Sequence, residues 1–230
     1  MNHSWNDHDH AALWDRWIDL PQIKDMCIHS FSPMIDEDTL LTWGATYKKV
    51  RKEEVIFREG TQGFFYHQLV IGKIKWINLD DNGREFIQCI VQEGESFGEL
   101  PMLDDGYYVA SAVALKDSLI LRLHKEIFLQ LLRENPQIHF KFTRIMTERL
   151  RQKFIFLKEL SNQGPERKIW TILNYYKEDG DGGMPGRKRI NLTRQQIANM
   201  TGLRVETVIR TIKNLHDEGR LMIDKGKVFC

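Results

Sequence analysis

The pattern of apolar and polar residues changes near Leu123. Between Val50 and Leu123, short β-branched and aromatic runs are separated by glycines at intervals of 11 or 12 residues, namely Gly60, Gly72, Gly83, Gly94 and Gly106. Turn signals at this regular spacing are typical of a compact all-β unit. After Leu123 the apolar residues recur every three or four positions, which indicates helices. A β-domain followed by a helical part is therefore predicted.

Two local signals add detail to this division. Asp81-Asn82-Gly83 separates the apolar runs at 74–77 and 86–90, and Asn and Gly tolerate the positive φ of a tight hairpin turn. Near the start, residues 11–20 place their large apolar side chains on one helical stripe before Pro21. We expect a β-hairpin at the first place and a short helix, packed on the body of the protein, at the second.

A long helix is predicted after a shorter one that ends near Asn135-Pro136. Its apolar stripe consists of Ile138, Phe142, Met146, Leu150, Phe154, Leu157 and Leu160. At 1.5 Å per residue such a helix extends roughly 35 to 40 Å, which is more than a small β-domain needs for its own cover. A dimer seam is therefore predicted. The alternative is that the stripe packs on its own domain, because the two patterns overlap.

The C-terminal part has the pattern of a helix-turn-helix. A helical stretch at 168–177 comes first, and Thr193-Arg194-Gln195-Gln196 then has the pattern of a capping box, which specifies a helix start. Ala198 is small where a second helix must cross closely, and Gly202 supplies a tight turn before the helical period resumes at 203–215. Two short helices joined at a glycine are typical of this motif. Lys225-Gly226-Lys227 is predicted to turn a wing beside it.

The second of these helices has one apolar and one charged face. Arg210 offers two donors that match guanine O6 and N7, and Glu206 can accept from cytosine N4, so the pair is predicted to read neighbouring G·C base pairs. The alternative is an ordinary i,i+4 surface ion pair. Phosphate contacts are expected from the start of the first helix. The complete set of candidate DNA contacts is Thr193, Arg194, Gln195, Arg204, Glu206, Thr207, Arg210 and Lys213.

Charge supports this interpretation. The chain of 230 residues has a formal net charge of +1. Residues 165–230 contain 13 Lys/Arg against 8 Asp/Glu, whereas residues 1–164 contain 20 against 24. This asymmetry predicts a polyanion as the partner of the C-terminal part. Together with the helix-turn-helix pattern, it favours double-stranded DNA as that polyanion. No stretch approaches 18 uninterrupted apolar residues, so we expect a cytoplasmic protein without a membrane partner.

Catalytic and metal chemistry are not indicated. His67 and His124 are isolated in sequence, and no grouping of a nucleophile with a base occurs in the β-domain, so we do not expect an enzyme. Cys27, Cys89 and Cys230 lie too far apart for a thiolate cluster. Met1-Asn2-His3 could bind Cu or Ni through its amine, amides and imidazole, but a polar tail is far commoner. We therefore predict no metal site.

The chain resembles the CRP/FNR family of transcription regulators. The most specific strings are Leu192-Thr193-Arg194-Gln195-Gln196-Ile197-Ala198, Gly202-Leu203, Val205-Glu206-Thr207-Val208 with Arg210, and Phe97-Gly98-Glu99-Leu100. The resemblance covers residues 28–230. It implies an α+β protein with a jelly-roll-like, double-stranded β-roll sensor domain at 28–135, a dimerisation helix at 136–161 and a winged helix-turn-helix at 165–230. Residues 1–27 form an N-terminal extension of unassigned role.

The same resemblance implies a homodimer on a palindromic site, with RNA polymerase as a protein partner. Val205 before Glu206 is similar to the FNR branch, which favours half-sites that contain TGA. Ile209 replaces the small residue usual in both branches, so it is a candidate for a thymine-methyl contact or for excluding a base. A different interpretation keeps the β-roll as a small-molecule receptor that acts mainly through protein partners.

The effector is the least determined feature. In relatives that bind cyclic AMP, the Phe97–Leu100 string supplies amides and a ribose-binding glutamate, and a following Arg-Ser pair clamps the phosphate. Here that pair is Ala110-Ser111, which loses a charge-assisted contact of roughly 1.5 to 3 kcal/mol. The adenine-facing Thr-Ser pair is replaced by Lys153 and Phe154.

We therefore expect another small effector or none, and neither a cyclic nucleotide nor an iron-sulfur cluster as cofactor. The candidate ligand-binding residues are Gly98, Glu99, Leu100, Ser111, Lys153 and Phe154. The alternative is that Gly98–Leu100 only shapes a turn.

Overall fold

A computed structural model describes residues 34–161, 164–177 and 187–230. The helix predicted at 11–20 and the N-terminal extension at 1–27 lie outside the described residues. A short helix, α1 (Glu37–Thr42), opens the described chain, and the Asp36 side chain caps it by accepting from the Thr39 amide. Within the described ranges, no helix is both long enough and apolar enough to span a lipid bilayer.

Two antiparallel sheets form the β-domain. The first has the strand order β1-β8-β3-β6 and the second has the order β2-β7-β4-β5. The strands are β1 (Thr46–Val50), β2 (Val55–Phe57), β3 (Phe65–Ile71), β4 (Ile74–Leu79), β5 (Glu85–Val91), β6 (Ser96–Phe97), β7 (Ser111–Ala114) and β8 (Ser118–His124). The predicted hairpin is confirmed, because β4 and β5 pair from Ile74–Val91 to Leu79–Glu85 around the Asn-Gly turn. The two sheets enclose an apolar core, so the predicted β-roll is confirmed.

The β-domain also contains a helix that the all-β prediction did not include. It is α2 (Leu100–Asp104), with Pro101 in its first turn and Asp105 in a left-handed conformation after its end. Proline favours a helix start because its fixed φ suits the first turn and it has no amide hydrogen to satisfy. Turn spacing alone could not reveal one and a half turns of helix between strands.

Two helices follow the roll, α3 (Lys125–Glu134) and α4 (Pro136–Ser161). The single apolar stripe predicted for the long helix is divided between two faces. Phe142 is 2% exposed and packs on the roll together with Ile138 and Met146, whereas Leu150, Phe154 and Leu157 are exposed. At about 3.6 residues per turn, Arg149, seven residues after Phe142, continues the roll-facing side, and Leu150 does not. The helix therefore packs on its own domain and also presents an open apolar face.

The C-terminal domain has three helices within the described ranges, α5 (Pro165–Tyr175), α6 (Arg194–Thr201) and α7 (Val205–Asp217). The first begins earlier than predicted because Pro165 occupies its first turn. A small sheet of order β10-β11-β9 completes the domain, with β9 (Arg189–Ile190), β10 (Met222–Asp224) and β11 (Lys227–Phe229). Lys225 and Gly226 form the turn between β10 and β11, so the predicted wing is confirmed. Both residues have positive φ.

Candidate DNA-binding surface and sensor pocket

The helix-turn-helix is fixed at its start and at its turn. The Thr193 hydroxyl accepts from the Gln196 amide at 3.1 Å, and the Gln196 side chain accepts from the Thr193 amide at 2.8 Å, so the predicted capping box is confirmed. Gly202 ends α6 with a φ of 70°, a conformation that glycine adopts without steric cost. The angle between α6 and α7 therefore follows from local sequence.

The second helix, α7, separates its faces as the pattern predicts. Val208, Ile212 and Leu215 are at most 1% exposed and form the core with α5 and α6. Glu206, Ile209, Arg210 and Lys213 are exposed on the other side. Within residues 187–230, which the structure describes, no ion pair joins Glu206 to Arg210. The Glu206 carboxylate and the Arg210 guanidinium are therefore both available to a ligand that approaches this face.

The candidate phosphate contacts surround this face. Thr193 and Gln195 are exposed at the start of α6, and Arg204 is exposed at the start of α7. The Thr193 hydroxyl uses a lone pair in the cap, so its own hydrogen is still available to a phosphate oxygen. Arg194 and Thr207 are half-buried, and Gln195 Nε2 donates to Asn199 Oδ1 at 2.8 Å. These side chains border the exposed charged face of α7 at the positive ends of two helices.

The β4–β5 hairpin contacts the helix-turn-helix directly. Arg84 Nη2 donates to the Leu203 carbonyl at 3.0 Å, and Asn199 Nδ2 donates to Glu85 Oε1 at 3.1 Å. The Ile90 amide donates to Tyr176 Oη at 3.0 Å. Sequence reasoning missed these residues, because nothing local distinguishes a hairpin arginine that meets a carbonyl 119 residues away. The β-domain thus touches both the first helix and the turn of the motif.

A buried ion pair lies among the candidate ligand-binding residues. Glu99 is 3% exposed, and its Oε1 accepts from Arg149 Nη1 at 2.5 Å, while Arg149 Nη1 also lies 3.3 Å from Ser96 Oγ. Burial by itself lowers the pKa of Arg149, but the charges of Glu99 and Glu95 raise it above its ordinary value. The guanidinium is therefore charged. Glu99 Oε2 is buried and has no partner in the described chain.

The remaining ligand-binding candidates are dispersed. Ser111 Oγ accepts from the Glu59 amide at 2.9 Å, and Lys153 Nζ donates to the Gln88 carbonyl at 3.0 Å, so both are engaged within the chain. Leu100 is 40% exposed at the start of α2, and Phe154 is 65% exposed on the open face of α4. Of these candidates, only Glu99 belongs to the ion pair, and Gly98 immediately precedes it. Arg149, four residues before Lys153 on α4, pairs with Glu99 and was not among the residues predicted from the sequence.

Aromatic side chains fill the interior of the roll beside Gly98. The Phe57 ring stacks on Tyr108 at a centroid distance of 3.7 Å and meets the edge of Trp76 at 6.4 Å. A Cβ on residue 98 would lie 2.7 Å from the Phe57 ring, and its φ of 72° also favours glycine. Burial raises the pKa of Tyr108 to about 12. The glycine is thus required by packing in the turn, whether or not a ligand binds there.

Two family models match the chain. The cyclic nucleotide-binding domain matches residues 47–135, and the Crp-like helix-turn-helix domain matches residues 166–229. Among curated relatives, the cyclic AMP receptor protein of Thermus thermophilus is 28% identical over 173 residues, covering 75% of this chain and 78% of that protein. The cAMP-activated global transcriptional regulator CRP of Haemophilus influenzae is 26% identical over 205 residues, covering 87% and 92%.

Solved structures share the fold. The c-di-GMP-responsive global regulator CLP of Xanthomonas campestris superposes with a TM-score of 0.70 at 18% identity, over 84% of this chain and 98% of that one. FixK2 of Bradyrhizobium japonicum superposes with a TM-score of 0.68 at 23% identity, over 80% and 91%. The two family models and the curated relatives show that the chain belongs to the CRP/FNR family of DNA-binding transcription regulators.

Proposed function

We propose that the protein acts as a homodimer on a palindromic DNA site whose half-sites contain TGA. The observation that carries the proposal is the exposed face of α7, where Glu206 and Arg210 are not paired with each other. Arg210 reads guanine through its two parallel donors, and Glu206 accepts from the cytosine amino group. Thr193, Gln195 and Arg204 hold neighbouring phosphates, which sets the register of α7 in the major groove.

The open face of α4 supports the dimer. Exposed apolar side chains at Phe140, Leu150, Phe154 and Leu157 form a stripe, with fractional exposures between 57% and 82%. Thr143 and Thr147 continue the same alternation of three and four residues, which is the spacing of a coiled-coil seam. A second copy of the helix would cover this stripe and remove the cost of its exposure. In a dimer the two α7 helices enter successive major grooves about 34 Å apart.

The proposed effector is a small molecule other than cyclic AMP, or none. The Ala110 side chain is buried and has no donor, and the Arg149 guanidinium is paired with Glu99. Neither residue therefore supplies a free positive charge to neutralise a cyclic phosphate. Tight cyclic AMP binding in a calorimetric titration would contradict this part of the proposal. An iron-sulfur cofactor is likewise not proposed, because Cys89 and Cys230 are far apart in sequence.

The contacts between the sensor hairpin and the helix-turn-helix supply a route for regulation. A ligand near Glu99 would lie beside Arg149 of α4, and Lys153 of the same helix donates to the Gln88 carbonyl of β5. Strand β5 in turn reaches Tyr176 and α6 through Ile90 and Glu85. A shift of the hairpin would move the first helix of the DNA-binding motif. Regulation then acts on the orientation of α7 toward DNA. RNA polymerase is the proposed protein partner, and the cytoplasm the proposed location.

Selection of bound duplexes from random DNA tests the proposal. We expect a palindrome with TGA in each half-site, and binding that weakens steeply with salt. Arg210→Ala should cost roughly 1 to 3 kcal/mol on the selected site and little on random DNA. Arg133→Ala, at an exposed position of α3, serves as the matched control and should change neither. Failure to retain any duplex at low salt would instead favour a receptor that acts through protein partners.

A further inference from the structure

Ile209 is an exception to the distribution of apolar side chains in the C-terminal domain. Within the described ranges 164–177 and 187–230, it is the one large hydrophobic side chain that is exposed, with 52% of its surface accessible. The other large apolar residues of α7, which are Val205, Val208, Ile212 and Leu215, are buried or half-buried in the domain core. Packing within the domain therefore does not account for an isoleucine at this position.

The position of Ile209 places it within the reading face. At about 100° per residue, it lies about 60° to one side of Glu206, and Arg210 lies about 40° to the other side. Lys213 lies between Ile209 and Glu206 in this projection. A β-branched side chain also has a lower helix propensity than the straight-chain polar residues that suit exposed positions. Local helix formation therefore does not favour isoleucine here either.

The ligand of this face defines what an apolar side chain can contact there. Glu206, Arg210 and Lys213 share this face with Ile209, and the adjoining helix starts carry Thr193 and Arg204. Three of these four charged side chains are positive, so the face complements a polyanion. In the major groove of DNA, the apolar group that base pairs present is the 5-methyl of thymine. We propose that Ile209 contacts this methyl group on a thymine beside the base pairs read by Glu206 and Arg210. Ile209 is then a specificity-determining residue, and this inference rests on the proposed function.

Substitution of thymine by deoxyuridine tests the contact, because it removes the methyl group and leaves the pairing edge unchanged. On the selected palindrome, each thymine in turn is replaced by deoxyuridine, and the dissociation constant of the full-length protein is measured. We expect one thymine per half-site to matter, with about fourfold weaker binding when one methyl is lost and about fifteenfold when both symmetric methyls are lost. Ile209→Ala should bind the unmodified site more weakly and no longer respond to deoxyuridine at that thymine.

Two controls separate this contact from other effects. Ile209→Val keeps most of the apolar surface and should retain most of the response to the methyl group. Lys213→Ala should weaken binding to all duplexes alike and keep the full response. Because Ile209 is exposed, Ile209→Ala should unfold at the same denaturant concentration as the wild type.

Several results would overturn the inference. A wild-type protein that binds the palindrome but responds to deoxyuridine at no thymine leaves the proposed function standing and removes the role of Ile209. A response that persists unchanged in Ile209→Ala assigns the methyl contact to another residue. Normal DNA binding by Ile209→Ala with lower transcription in a purified system would assign Ile209 to a protein partner. Retention of no duplex at low salt would overturn the proposed function itself.

Discussion

The Ile90 amide on β5 donates to the Tyr176 hydroxyl of the C-terminal domain at a distance of 3.0 Å. Both groups are buried, and the contact joins residues 86 positions apart in sequence. Strand β5 lies at the edge of its sheet. An amide that faces away from the sheet on an edge strand normally pairs with another strand or with water. Here it pairs with the other domain, so the two domains share one buried polar contact in addition to their apolar interface.

Removal of this hydroxyl should weaken the docking of the two domains. Tyr176→Phe leaves the Ile90 amide buried without an acceptor, which costs about 1 to 3 kcal/mol of unfolding free energy. Chemical denaturation followed by tryptophan fluorescence measures this loss. Tyr107→Phe is the matched control, because Tyr107 is 66% exposed and its hydroxyl can reach water. Equal stability of Tyr176→Phe and wild type would show that the domains separate in solution.

The stability of the β-roll should fall in acid because of His67. Burial, followed by the nearby charges of Arg122 and Lys48, lowers the pKa of His67 from 6.5 to about 3. The unfolded chain therefore binds a proton between pH 6.5 and pH 3 that the folded chain does not, so stability present above pH 6.5 is lost as the pH falls. At pH 5 the loss from this group is about 2 kcal/mol.

The His67 contribution can be isolated by substitution. His67→Phe keeps an aromatic ring against Phe57 and Phe97, which pack against the imidazole at 5.5 and 5.1 Å, and removes the titration. Its unfolding free energy should fall less than that of the wild type between pH 7.5 and pH 5. His139→Gln, at an exposed position of α4, should behave as the wild type. Parallel pH profiles for wild type and His67→Phe would contradict the assignment.

The buried Glu99–Arg149 pair should show strong coupling. Arg149→Met leaves the Glu99 carboxylate buried without its counter-charge, which we expect to cost about 2 to 4 kcal/mol. The value is below that of a fully buried pair because 28% of the Arg149 side chain is exposed. Combining it with Glu99→Gln removes the unpaired charge and should restore much of the stability. Additive losses in a double-mutant cycle from denaturant titrations would show that the two residues are not coupled.

The open face of α4 should determine the oligomeric state. Leu150→Asp and Phe154→Glu each place a charge where the proposed dimer would exclude water, so sedimentation analysis should find monomers at micromolar concentration. Val109→Glu is the control, because Val109 is 58% exposed on the roll and lies outside this stripe. Specific DNA binding should weaken together with dimerisation, since each monomer reads one half-site. A dimer that survives both substitutions would place the interface elsewhere.

Much of the architecture follows from local sequence. The Asn-Gly turn set the β4–β5 hairpin, and Thr193 with Gln196 set the start of α6. The alternation of buried and exposed residues on α7 was equally readable, because an amphipathic helix must bury one face whichever domain surrounds it. In each case the stabilising partners lie within a few residues, or the periodicity itself indicates the buried side.

The tertiary structure decided what these local rules leave open. The apolar residues of α4 form one stripe in sequence, but only the roll determines that Phe142 is covered and Leu150 is not. Likewise, Arg149 became the partner of Glu99, and Tyr176 became the partner of Ile90, because folding brings together groups 50 and 86 residues apart. Sequence by itself determined the main strands and helices and the exposed charged face of α7. The long-range pairing of buried polar groups depends on how those elements pack, so only the folded chain could reveal it.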